Sequence, residues 1–87
     1  MNYFVYMLKS LGKEPVTYVG HTKDLKKRIS LHNNNKGAKF TRGRKWKLIY
    51  KEKHGSKKEA IYREYYIKNN RTLRNKIKNE NFNTIAL

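Results

Sequence analysis

Two short segments near the N-terminus constrain the fold of this chain more than any other feature. Residues 3–8 and 17–20 are rich in aromatic and β-branched side chains, a composition typical of strands. The connection over residues 10–16 contains a glycine and the only proline of the chain, which favours a hairpin. We therefore predict that the chain opens with two antiparallel strands. Gly20, which ends the second strand, indicates a close backbone approach or a sharp exit.

Three helices and one further strand are predicted after this hairpin. Helical patterns cover residues 23–34, 56–71 and 73–78, residues 46–50 alternate as a strand does, and Phe82 and Ile85 are expected to pack in the tail. The order β-β-α-β-α-α predicts an α+β fold, with a small, three-stranded, mainly antiparallel sheet flanked by helices. A chain of 87 residues without repeats or a linker has room for one domain, residues 1–87.

The charge of the chain indicates the class of its partner. Its 22 lysine and arginine residues against 6 acidic residues give a formal net charge of +16. This balance is typical of nucleic-acid binders, because basic side chains displace the counterions of the phosphate backbone. The sequence has no long apolar face to lie in a membrane interface, so we expect no membrane partner. We also expect no small-molecule cofactor, and no obligate protein partner is evident.

Cysteine content and hydrophobic runs bear on where the protein works. The chain has no cysteine, which excludes disulfides and cysteine-ligated zinc and fits an intracellular protein. Its first apolar run, residues 3–8, is too short for the core of a signal peptide. No stretch approaches the roughly 20 apolar residues of a membrane span. We therefore expect a cytoplasmic protein.

The first predicted helix places two polar side chains on its buried side. A helical wheel separates a mainly apolar side from a polar side, the first with Leu25, Arg28, Ile29, Leu31 and His32 and the second with Lys26, Lys27 and Ser30. Arg28 and His32 are four residues apart, so we expect them to be neighbours at the buried edge. Asp24 is expected in the first turn, where a negative charge is favourable.

One carboxylate falls where an apolar residue is expected. The helix over residues 56–71 begins with a capping box, Ser56-Lys57-Lys58-Glu59. Its wheel places Ala60, Ile61 and Ile67 on one face, and Glu64 projects between them. A carboxylate on a core-facing stripe needs a cation, a hydrogen-bond network or a metal, because burying it unpaired is costly.

A basic segment lies between the first helix and the third strand. Five cations surround the lone Phe40 there, namely Lys36, Lys39, Arg42, Arg44 and Lys45, with glycines at Gly37 and Gly43. We interpret the segment as a mobile loop that binds nucleic acid, although such a segment is usually only a solvated connection. A loop without a recognition helix favours backbone contacts over base readout. We therefore expect low sequence specificity and a preference for single-stranded or branched DNA.

Four sets of residues together resemble the GIY-YIG endonuclease superfamily. The two halves of its signature correspond to Phe4-Val5-Tyr6 and Tyr18-Val19-Gly20. Further matches are Thr22-x-Asp24-Leu25-x-x-Arg28-x-x-x-His32-Asn33 and Ala60-x-x-x-Glu64-x-x-x-Lys68. The likeness runs over residues 3–77 and is greatest to the small stand-alone bacterial members. The departure is Phe4, where the family pattern usually has glycine.

The resemblance implies a metal-dependent endonuclease and a role for each matching residue. Phosphodiester hydrolysis needs a nucleophile, charge neutralisation at phosphorus and help for the leaving oxygen. Five residues take these roles by resemblance: Tyr6 in activating the attacking water, Tyr18 in lining the site and contacting the scissile phosphate, Arg28 in stabilising its charge, His32 as a proton partner of the tyrosine, and Glu64 in holding a single divalent ion, Mg²⁺ or Mn²⁺.

Several alternatives stay open at the level of sequence. Glu64 could be a structural ion-pair partner of Arg28 or Lys68. The domain could also bind nucleic acid without cutting it, since charge alone supports binding as well as catalysis. A third alternative is a small RNA- or ribosome-associated protein, which gives no reason for the position of Glu64. The tyrosines of the second long helix, Tyr62, Tyr65 and Tyr66, could be semi-buried packing residues or could stack on unpaired bases.

Overall fold

A three-stranded antiparallel sheet forms the centre of the molecule. The computed structural model describes residues 2–80. Its strands are β1 (Tyr3–Ser10), β2 (Thr17–Thr22) and β3 (Trp46–His54), in the spatial order β2-β1-β3. Both pairings of β1 are antiparallel, so the predicted hairpin and sheet are confirmed, although each strand extends beyond its predicted end. No described helix has the length and apolar character needed to cross a membrane.

Three helices flank the sheet, as predicted. They are α1 (Leu25–Asn33), α2 (Lys57–Lys68) and α3 (Arg71–Glu80), and a short 3-10 turn covers Lys39–Thr41. Asp24 precedes α1 as its N-cap rather than lying in its first turn, and its carboxylate accepts from the Lys27 amide at 3.1 Å. Ser56 caps α2 by accepting from the Glu59 amide at 3.2 Å. Phe82 and Ile85 lie outside the described residues.

The alternation of β1 divides the core into two layers. Tyr6 and Leu8 face α1, where they pack with Trp46, Leu25 and Ile29. Its intervening residues face α2 and α3, in a second cluster formed by Val5, Met7, Val19, Ile49, Ala60, Ile67 and Ile77. The sheet is thus covered on both faces, and an edge strand, β2, separates the two layers at one side.

A bulge in β3 changes which face its residues occupy. The register with β1 shifts between Met7 and Leu8, so that Tyr50 pairs with Met7 but Leu48 pairs with Leu8. Ile49 is the inserted residue. Before the bulge Leu48 therefore faces α1, whereas after it Tyr50 faces α2.

The helical wheels are correct with one exception. In α1, the predicted inner side is half-buried or buried and the predicted outer side is exposed. In α2, Ala60 and Ile67 are fully buried, but Ile61 is 47% exposed. Its assignment to the apolar face was wrong, because it lies about 100° around the helix from Ala60 and reaches the flank of α2 rather than the sheet.

Candidate active site

Two tyrosines and a histidine form a compact cluster between the sheet and α1. Tyr6 extends from the middle strand, Tyr18 from the edge strand and His32 from the last turn of α1. The Tyr6 hydroxyl lies 2.8 Å from Nε2 of His32. The Tyr18 ring centroid lies 6.3 Å from that of Tyr6 and 5.0 Å from that of His32. The structure thus brings together three of the residues selected from the sequence.

Two glycines make room for this cluster. Gly20 pairs with Tyr6 across the strands, and a Cβ there would lie 2.6 Å from the Tyr6 hydroxyl oxygen. Gly37 is as tightly placed, because a Cβ would lie 2.4 Å from Nδ1 of His32. Real Cβ atoms do not approach so closely, so each position requires glycine for steric reasons rather than for backbone conformation. The close backbone approach expected at Gly20 is confirmed.

Burial sets the protonation of the cluster. Tyr6 and His32 are both 0% exposed. Burial raises the pKa of Tyr6 to about 12, and the neighbouring Arg28 offsets only part of this effect. Burial also lowers the pKa of His32, with a further contribution from the charge of Arg28. At neutral pH the pair therefore consists of a neutral phenol and a neutral imidazole.

Arg28 supplies the positive charge of the site. It is half-buried on α1, next to the Tyr6 hydroxyl, which raises its pKa, as does the nearby Tyr18. Its guanidinium is therefore charged at any working pH, and its fork of donors suits a phosphate. Because Tyr6 has no exposure of its own, an anion meets Arg28 before it meets the phenol.

Glu64 reaches the same region from α2, at the edge formed by β2. One of its carboxylate oxygens lies 2.5 Å from Nδ1 of His21 and the other 2.7 Å from Nζ of Lys68. Burial opposes its ionisation, but Lys68 and His21 outweigh this effect and lower its pKa. Nζ of Lys68 also lies 5.8 Å from the Tyr18 ring centroid, and the charge of Glu64 contributes to the raised pKa of Tyr6. The charge of Glu64 thus acts on Tyr6, and its lysine partner lies near Tyr18.

One of the two ion pairs considered as an alternative role for Glu64 is present. The pair with Lys68 is formed, whereas among residues 2–80 no salt bridge joins Glu64 to Arg28. Lys68 is 46% exposed in its side chain and lies on the same helix, four residues away. Such an exposed pair contributes little to stability, so its replacement by a competing cation would cost little.

A divalent ion is compatible with this donor set. Residues 2–80 contain no group of three or more His, Asp or Glu side chains that could enclose a metal. One ionised carboxylate can instead hold a hard cation whose remaining ligands are waters and phosphate oxygens. Glu64 meets that requirement because its pKa is lowered, its side chain is 19% exposed, and the side chain of its partner Lys68 is 46% exposed. His21 is the adjacent second donor.

The basic segment borders the cluster. All five of its selected cations are exposed, namely Lys36, Lys39, Arg42, Arg44 and Lys45. Phe40, 56% exposed, stacks on Tyr18 with ring centroids 6.2 Å apart and an interplanar angle of 22°. Nζ of Lys45 donates to the Asn33 carbonyl at 2.9 Å. The segment is therefore connected to the site by Phe40 and to the end of α1 by Lys45.

Two residues of the site were missed by the sequence analysis. His21 shares the α2-facing side of β2 with Val19, so continued alternation of the second strand beyond residue 20 would have revealed it. Thr41 is fully buried and lies 2.8 Å from Nδ1 of His32. No signal in the sequence marks it, because it sits among exposed cations in a segment without periodicity.

Comparisons of this chain with a family model, with related sequences and with a solved structure agree with one another. The family model described as the GIY-YIG catalytic domain matches residues 2–79. A UPF0213 protein of Clostridium perfringens is 55% identical over 69 residues, covering 78% of this chain and 71% of the relative. UPF0213 protein YazA of Bacillus subtilis is 44% identical over 68 residues, covering 77% and 67%. The solution NMR structure of a UPF0213 protein from Bacillus halodurans is 34% identical and superposes with a TM-score of 0.55, covering 99% of this chain and 93% of that one.

Proposed function

The chain belongs to the GIY-YIG catalytic-domain family, a nuclease family, and on that premise we propose that it is a divalent-metal-dependent endonuclease that hydrolyses phosphodiester bonds of DNA. One observation carries the proposal. Tyr6 and Tyr18 lie together next to the Arg28 guanidinium. Glu64 comes from a helix on the opposite face of the sheet, but its charge acts on Tyr6 and its partner Lys68 lies beside the Tyr18 ring. The names of the relatives state no activity, so the substrate and the metal are part of the proposal.

Each residue has a role that follows from its environment. Arg28 binds the scissile phosphate next to the Tyr6 hydroxyl. Tyr6 takes a proton from the attacking water while its own proton passes to Nε2 of His32, 2.8 Å away. Tyr18, with its ring centroid 6.3 Å from that of Tyr6, lines the site and contacts the phosphate. Glu64 would hold Mg²⁺ or Mn²⁺, which would supply charge neutralisation at the phosphate.

The outer face of α2 supports a preference for unpaired DNA. Tyr62 and Tyr65 are each 68% exposed, and with Tyr66, Asn69 and Asn70 they line a shallow groove. Exposed aromatic rings stack on unpaired bases of any sequence, whereas a duplex keeps its bases inside. The exposed cations of residues 36–45 suit phosphate contacts, which carry little sequence information. The favoured substrate is therefore single-stranded or branched DNA, cut with low sequence specificity.

A substrate panel tests the activity. The purified protein is incubated with labelled single-stranded, duplex, flap and RNA oligonucleotides, with Mg²⁺, Mn²⁺ or a chelator. We expect cleavage that needs the metal and is lost in Glu64→Gln. Glu59→Gln is the matched control, because Glu59 lies on the same helix with a 64% exposed side chain. Absence of cleavage on every substrate would refute the proposal.

A double variant tests the substrate preference separately. Tyr62→Ala with Tyr65→Ala should weaken single-strand binding by about 30-fold or more, since each of the two lost stacking contacts contributes about 1–3 kcal/mol. Duplex binding, measured in the same titration by fluorescence anisotropy, should not change. Equal weakening of both would show that the face does not distinguish unpaired bases.

The second candidate is a binding module that has lost catalysis. The observation in its favour is that both carboxylate oxygens of Glu64 are already paired, with His21 and Lys68. In that case Glu64→Ala would leave salt-dependent binding of nucleic acid unchanged, and the wild-type protein would cut none of the substrates.

A further inference from the structure

His32 lies between two oxygen atoms that are equally close to its ring nitrogens. Nε2 is 2.8 Å from the Tyr6 hydroxyl, and Nδ1 is 2.8 Å from the Thr41 hydroxyl. Tyr6, His32 and Thr41 are all 0% exposed, so the surrounding protein rather than bulk water decides which nitrogen carries the proton. A neutral imidazole has one donor and one acceptor nitrogen.

The Ala38 carbonyl determines the direction in which the hydrogen bonds between Thr41, His32 and Tyr6 run. The Thr41 hydroxyl lies 2.8 Å from the Ala38 carbonyl oxygen, which can only accept. A hydroxyl has a single proton, and Thr41 must use it for that bond. Towards His32 the Thr41 oxygen is therefore an acceptor, so Nδ1 must be the protonated nitrogen.

Thr41 is itself held in place from three sides. Its amide donates to the same Ala38 carbonyl at 3.0 Å. Its own carbonyl accepts from Nε1 of the Trp46 indole at 2.9 Å. Gly37, whose missing Cβ leaves the space beside Nδ1, lets the segment approach the ring. The basic segment is therefore an ordered support for His32 as well as a bearer of exposed charge.

We propose that Thr41 is a positioning residue that holds neutral His32 in the tautomer protonated at Nδ1, which keeps Nε2 free to accept the proton of Tyr6. The lowered pKa of His32 is consistent with a neutral ring. In the opposite tautomer Nε2 would present a proton to Tyr6, and the phenol would have no acceptor for its own. The direction of this series of hydrogen bonds is thus set by the backbone carbonyl of Ala38, because a carbonyl oxygen can only accept.

The proton balance rests on the proposed function. The water oxygen forms a bond to phosphorus, its proton goes to the Tyr6 oxygen, and the Tyr6 proton goes to Nε2 of His32. The bond from phosphorus to the leaving oxygen breaks, and that oxygen takes a proton from solvent. His32 becomes an imidazolium with both nitrogens protonated, and Thr41 still accepts from Nδ1. The ring returns to its starting state when Nε2 passes its proton back to the Tyr6 oxygen and Tyr6 passes a proton to solvent in the site.

The tautomer can be measured without any nuclease activity. Nitrogen-15 NMR of the wild-type protein at neutral pH reports which nitrogen of each imidazole is protonated, and His32→Asn identifies the His32 signal among the three histidines. We expect the tautomer protonated at Nδ1. Thr41→Ser, which keeps the hydroxyl, should retain it. Thr41→Val, which keeps the shape but lacks the acceptor, should shift His32 to the tautomer protonated at Nε2.

Activity provides the second readout on the same variants. Thr41→Val should lower kcat by about 10- to 100-fold with little change in KM, and Thr41→Ser should restore most of it. A wild-type His32 protonated at Nε2, or an unchanged tautomer in Thr41→Val, would overturn the proposal. If Thr41→Val does not fold, the wild-type spectrum still decides. If the wild-type protein cuts nothing, the proposed function fails, while the NMR result separately decides the role of Thr41.

Discussion

The carboxylates of Glu52 and Glu64 are almost equally buried against α2 but differ in the groups that bind them. The side chains of Glu52, on β3, and Glu64, on α2, are 16% and 19% exposed. Glu52 accepts two bonds from Arg63, at 2.7 and 2.9 Å, a third from His54 at 2.8 Å and a fourth from the Tyr50 hydroxyl. Glu64 accepts one bond on each oxygen. Burial alone therefore does not separate a structural carboxylate from a functional one.

The number and stiffness of the partners do separate them. The Arg63 fork grips both oxygens of Glu52, and although burial opposes ionisation, the hydrogen bonds lower the pKa of Glu52 to about 2. Glu64 depends on an exposed lysine and a histidine. Arg63 and Glu64 are consecutive in α2, and their side chains leave the helix in directions about 100° apart, Arg63 towards Glu52 of β3 and Glu64 towards His21 of β2. The pair of Glu52 and Arg63 fixes α2 to β3, whereas the carboxylate of Glu64 remains available for a cation.

The largest expected effect is the loss of cleavage when the charge of Glu64 is removed. Glu64→Gln keeps the shape but loses the ligand charge, and we expect cleavage to fall by about 10³-fold, the loss typical of removing a major charge-stabilising group. The free energy of unfolding should change by less than about 1 kcal/mol. Quenched-flow or gel-based cleavage and urea denaturation measure the two quantities. A large loss of stability would place Glu64 in the structural class with Glu52.

The converse is expected for Glu52. Glu52→Gln leaves Arg63 without its carboxylate in a half-buried position, which should lower the free energy of unfolding by about 3 kcal/mol. Cleavage per folded molecule should fall less than tenfold, because the proposed catalytic side chains are untouched. Urea denaturation and cleavage measured well below the unfolding midpoint test this. A loss of cleavage as large as in Glu64→Gln would contradict the separation of the two regions.

The stability of the protein at low pH should decrease mainly because Glu52 becomes protonated. Its pKa is lowered from 4.5 to about 2, so its contribution is present above pH 4.5 and is lost as the pH falls from there towards 2. The full shift corresponds to about 3 kcal/mol. Thermal unfolding between pH 6 and 2 should therefore show a steep loss in the wild-type protein and a shallower one in Glu52→Gln. Glu64→Gln should lie between the two, because the pKa of Glu64 is also lowered, and a slope as shallow as that of Glu52→Gln would reverse the assignment.

Local periodicity predicted the fold and the positions of Arg28, His32 and Glu64 on the inner faces of their helices, whereas the resemblance to the GIY-YIG family implied the roles of the site residues. The hairpin, the capping box and the inner side of α1 follow from patterns of two or about four residues. The Glu52 network does not, because uninterrupted alternation would place Leu48, Tyr50 and Glu52 on one face of β3. The bulge at Ile49 turns Glu52 towards α2, and a bulge depends on pairing with a distant strand. Thr41 is likewise positioned only by tertiary contacts.

The smallest expected effect is on the pair between Lys68 and Glu64. Lys68→Met keeps most of the side-chain stem but removes the cation, and we expect the free energy of unfolding to change by at most about 1 kcal/mol, because exposed pairs four residues apart on a helix contribute little. Arg63→Met, which breaks the fork on the same helix, is the matched control and should cost about 3 kcal/mol. Urea denaturation of both variants gives the comparison directly. If Lys68→Met were as costly as Arg63→Met, Glu64 would be a structural ion-pair partner, and the availability of its carboxylate for a divalent ion would no longer follow.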